Sequence, residues 1–120
     1  MKLPHGIHNF EELVTKGFYY IDRTPYIEKL ERSKDRLVIF RRPLGFDRKL
    51  FISMLSCYYG IQYRSKFTTL FKRYYISQNK TPQANQYHIL VFDFCNLDLT
   101  NLQQTEQSLT FAIKKGVETF

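Results

Sequence analysis

Arg41-Arg42-Pro43-Leu44-Gly45-Phe46-Asp47-Arg48-Lys49-Leu50 joins two segments of different pattern. Before it, Arg36-Leu37-Val38-Ile39-Phe40 puts four apolar residues in a row, as in a strand buried on both faces. After it, Leu50, Phe51, Met54, Leu55, Tyr58 and Tyr59 share one broad face, so residues 48–59 read as an amphipathic helix closed by Gly60. Strand, glycine-containing loop and helix in that order predict an α/β fold, because strands apolar on both faces occur mostly in sheets covered by helices.

Working outward, Asn9 caps a short helix over residues 8–16 whose first turn carries Glu11 and Glu12, and Gly17 ends it. Phe18-Tyr19-Tyr20-Ile21 is strand-like. Thr24 is the expected N-cap before Pro25 of a helix from about 25 to 33, with Tyr26, Ile27 and Leu30 at helical spacing. Downstream, Phe67, Leu70, Phe71, Tyr74 and Tyr75 predict one helix from about 65 to 76. Residues 77–86 are polar and contain Pro82, hence a loop. His88 to Phe94 reads as a second buried strand, and a helix follows from about 101 to 120 with Leu102, Leu109, Ala112, Ile113 and Val117 apolar. The expected architecture is a small α/β sandwich with a short, mainly parallel sheet flanked by helices.

At 120 residues the chain suits one domain, here 1–120, rather than two. No apolar run reaches the roughly 20 residues needed to span a bilayer, and the N-terminus lacks a signal-peptide core, so a cytoplasmic protein is expected. Cys57 and Cys95 are too few for a disulfide framework and lie in apolar segments, which predicts reduced core thiols. A net charge of +7 favours an acidic partner without choosing among nucleic acid, phosphorylated ligand, anionic membrane and acidic protein. His5, His8, His88 and the cysteines have no zinc spacing, so no metal site is expected.

Four segments carry a family resemblance: Leu3-Pro4-His5-Gly6-Ile7-His8-Asn9-Phe10-Glu11-Glu12-Leu13, Phe18-Tyr19-Tyr20-Ile21-Asp22-Arg23-Thr24, Arg42-Pro43 through Leu50-Phe51-Ile52-Ser53-Met54-Leu55, and Val91-Phe92-Asp93-Phe94. In this order they resemble the N-terminal region of the bacterial AAA-ATPase-like proteins. That family's pattern is a Gly-Ile-x-x-Phe-x-x-Leu opening, a Tyr-Tyr-Val-Asp-Lys-Thr segment, a loop Arg-Pro-Arg-Arg-Phe-Gly-Lys-Ser/Thr-Leu and a strand ending in Asp-Phe. The resemblance implies a P-loop fold and nucleotide binding, on a chain truncated before the rest of the ATPase domain and the nuclease-like region often fused to it.

Aligned on Arg42-Pro43 and Leu50-Phe51, the family's Gly-Lys-Ser/Thr falls on Asp47-Arg48-Lys49. Asp47 brings a side chain and a negative charge to where bare amides meet phosphate, and two like charges about 4 Å apart near a surface cost on the order of 4 kcal/mol. Arg48 keeps charge without the compact ammonium geometry, and Lys49 cannot ligate Mg²⁺. Asp93 is the sole positional candidate for an acidic partner, and it matches an earlier strand of the family pattern. No catalytic residue, no ATP hydrolysis, no cofactor and weak or absent ATP binding are therefore expected.

What remains is a vestigial anion site at the start of the helix from 48, formed by Arg41, Arg42, Gly45, Arg48 and Lys49. Arg64, Lys66, Lys72 and Arg73, interleaved with tyrosines, are the alternative nucleic-acid-binding set, although the aromatics fall largely on apolar faces and suit core packing. The leading reading is a catalytically inactive module acting through protein–protein interaction, with homodimerisation or docking on another protein covering an open sheet edge. A basic nucleic-acid-binding module and nucleotide binding without hydrolysis are the alternatives.

Overall fold

A computed structural model describes residues 2–41 and 47–120. They group into two compact units, Met1–His88 and Ile89–Phe120.

In the first unit, α1 (Phe10–Thr15) begins where Asn9 Oδ1 accepts the Glu12 amide at 2.9 Å, with Glu11 and Glu12 favourably placed on the helix dipole. Gly17 terminates it at φ 74°, a left-handed conformation that costs glycine little. Phe10 and Leu13 are fully buried, and the Phe10 amide donates to Ser53 Oγ at 2.8 Å, joining the start of α1 to α3 (Arg48–Tyr59). The buried residues Phe51, Met54, Cys57 and Tyr58 form one stripe along α3, as the apolar spacing requires. After α3, Gly60 allows a close turn: a Cβ there would lie 2.5 Å from the Ser56 carbonyl oxygen.

Between them, α2 (Pro25–Ser33) starts with proline at its first position, where a missing N–H costs no helical hydrogen bond. Thr24 does not cap it as expected. Its hydroxyl instead donates to Asp22 Oδ1 at 2.6 Å and accepts the Ile76 amide at 3.2 Å, while Asp22 Oδ1 also takes the Thr24 amide and Asp22 Oδ2 takes the Tyr75 amide at 2.8 Å. This pair therefore supplies the cap of a helix 50 positions further along the chain, α5 (Tyr75–Gln78).

That cap explains why the expected single helix over 65–76 is broken. The chain forms a 3₁₀ turn at Ile61–Lys66, α4 (Phe67–Phe71) and α5, with Tyr74 extended at φ −115°, ψ 160°. Continuing α4 would bond the Tyr75 and Ile76 amides inside the helix; Asp22 and Thr24 take them instead. The core is strongly aromatic. Phe10 stacks on Phe71 at 5.1 Å and meets Tyr20 edge-on at 5.1 Å, and Tyr58 meets Phe71 edge-on at 5.7 Å.

The expected parallel sheet is absent from the described residues. Their β pairing is confined to two isolated parallel bridges, Lys2 with Phe18 and Gly60 with Tyr87. Residues 36–40 form no strand, and Leu37, Val38 and Ile39 are 91%, 52% and 82% exposed. Residues 88–94 are likewise irregular, with Leu90, Val91, Phe92 and Phe94 exposed. Both runs have the composition of buried strands, but a strand needs a neighbour to satisfy its backbone, and no described segment pairs with either. The fold described is helical.

In the second unit, Asn101 Oδ1 accepts the Gln104 amide at 2.8 Å and starts α6 (Leu102–Glu118). Asp98 bonds the hydroxyl and amide of Thr100, and its own amide donates to Ser108 Oγ at 3.0 Å, holding the turn before the helix. Gly116 lets α6 close on the preceding segment: a Cβ there would lie 2.5 Å from the Phe92 ring and 2.7 Å from the Val91 carbonyl oxygen. The apolar positions Leu102, Leu109, Ile113 and Val117 remain exposed. Cys95 is exposed too, contrary to its expected place in a core, whereas Cys57 is buried. Among the described residues no helix is long and apolar enough to cross a membrane.

Candidate functional site

The start of α3 is where the sequence places an anion site, and Asp47 occupies it. The residue is extended at φ −76°, ψ 91°, as an N-cap requires, and its Oδ1 accepts the Leu50 amide at 2.9 Å. Its backbone carbonyl takes the Phe51 amide at 3.1 Å. Oδ2 lies 2.7 Å from His8 Nδ1, so the carboxylate ties the N-terminal segment to the helix. An incoming phosphate would need the amide that Asp47 already holds and would meet its charge, a cost on the order of 4 kcal/mol at about 4 Å near a surface.

Of the five residues expected to bind an anion, Arg41, Arg48 and Lys49 are exposed, the last two in the first turn of α3; Arg42 and Gly45 lie outside the described residues. Two cations there oppose the positive end of the helix dipole, and the Asp47 carboxylate offsets them. Beside this helix end is an open, largely apolar recess of about 690 Å³ lined by Ile7, Tyr19, Ile21, Arg23, Asp47 and Leu50 among others. Burial pushes the phenol of Tyr20, also on its wall, well above the usual tyrosine value. Among the described residues no group of three His, Cys, Asp or Glu side chains could hold a metal ion.

The family model described as "Predicted AAA-ATPase" matches residues 4–120. The chain belongs to this AAA-ATPase-like family. No curated protein and no solved structure matches it.

In this AAA-ATPase-like chain the second basic set is only partly presented to solvent partners. Arg64 Nη2 donates to the Asn85 carbonyl at 3.2 Å. Lys66 Nζ sits 2.7 Å from Glu11 Oε1, and this hydrogen bond together with the carboxylate charge raises the pKa of the ammonium. Lys72 and Arg73 are exposed. Most tyrosines among these cations face inward: Tyr58 is fully buried, Tyr74 packs on Phe10 and Tyr20, and the Tyr59 hydroxyl donates to Glu31, while Tyr75 is exposed with its hydroxyl on Glu28. They offer no row of exposed stacking faces.

Sequence reasoning missed three anchoring groups. The His8 link to Asp47 spans 39 positions and leaves no local pattern, although an aspartate just ahead of an apolar helical run is itself an N-cap signal. Asn85 is 1% exposed and left-handed at φ 55°, and its Nδ2 donates to the Cys57 and Gly60 carbonyls, satisfying the end of α3. Thr81 bonds the Tyr58 hydroxyl at 2.8 Å and donates to Glu31 at 3.0 Å, fastening the loop after α5 to α2 and α3.

Proposed function

We propose that this AAA-ATPase-like chain acts as a non-hydrolysing module that works through protein–protein interaction. The observation that carries the reading is the Asp47 carboxylate on the Leu50 amide: the helix start that would receive phosphate is capped from within and negatively charged. Arg48 and Lys49 stand where the resemblance implies the phosphate lysine and the Mg²⁺-binding hydroxyl, and phosphoryl transfer relies almost wholly on such positioning groups. The exposed apolar residues at 37–39 support an interaction role, since contiguous apolar surface marks binding faces.

Incubating the protein with ATP and Mg²⁺ tests the first half of this reading. No phosphate release above the protein-free rate is expected, and turnover that Arg48→Ala abolishes would overturn it. Lys72 and Arg73 favour a second reading, binding to nucleic acid through exposed cations. It requires an affinity that falls steeply with salt; no binding near 50 mM salt would remove it.

A further inference from the structure

We draw no further inference here: the strongest candidate, the open apolar recess of about 690 Å³ beside the start of α3 walled by Ile7, Tyr19, Ile21 and Leu50, belongs to the site already described, and nothing in the structure shows what covers it.

Discussion

Asp47 shows how one side chain can decide what a helix end is for. If its carboxylate acts mainly as a cap, Asp47→Asn, which keeps an accepting oxygen, should leave stability within about 0.5 kcal/mol, whereas Asp47→Ala should lose about 1 kcal/mol in urea unfolding. Equal losses would show that charge rather than capping matters. Asp22 is a stronger case because one carboxylate serves the Thr24 amide and hydroxyl and the Tyr75 amide. Asp22→Ala leaves these donors unsatisfied and should cost about 2 to 4 kcal/mol by the same measurement; a loss below about 0.5 kcal/mol would contradict the cross-cap. The cysteines differ for an equally local reason. Burial pushes the Cys57 thiol up to about 12, so its thiolate is scarce near neutral pH. A thiol reagent at pH 8 should modify exposed Cys95 promptly and Cys57 only after denaturation. Because the native state disfavours the Cys57 thiolate, its contribution to stability is fully present below the unfolded thiol value and is lost as pH rises through that value toward 12.

At the scale of elements, what was legible in the sequence is what local chemistry fixes. The bounds of α2 and α3 agree with the expected 25–33 and 48–59, since Pro25, the apolar spacing and Gly60 act within a turn or two. The helix over 65–76 was misread because the groups that break it, Asp22 and Thr24, lie some fifty positions away. The two strands were misread for a related reason: apolar runs declare what would suit a sheet, but pairing is a property of two segments. Of the candidate site, the start of α3 at Arg48 was legible from local pattern, whereas the His8 contact with Asp47, 39 positions away, was not. In the second unit, Gly116→Ala should push the start of the unit off α6, speeding amide exchange there while the Met1–His88 unit keeps its protection; a cost of about 1 to 3 kcal/mol is expected for such overpacking.

For the whole molecule, membership of the AAA-ATPase-like family and the proposed loss of catalysis pull in opposite directions, and the helix start at Asp47 is where they meet. The resemblance implies phosphate binding there; this chain has a carboxylate bonded to the Leu50 amide and 2.7 Å from His8 Nδ1. The most direct measurement is the melting temperature of the full chain titrated with ATP, with and without Mg²⁺. A ligand that binds only the native state at about 100 times its dissociation constant adds about 2.7 kcal/mol, which would raise the melting temperature by many degrees. The account predicts no shift up to millimolar ATP under either condition. A rise of several degrees that requires Mg²⁺ would contradict it, because it would mean that the Asp47 cap gives way to a working phosphate site.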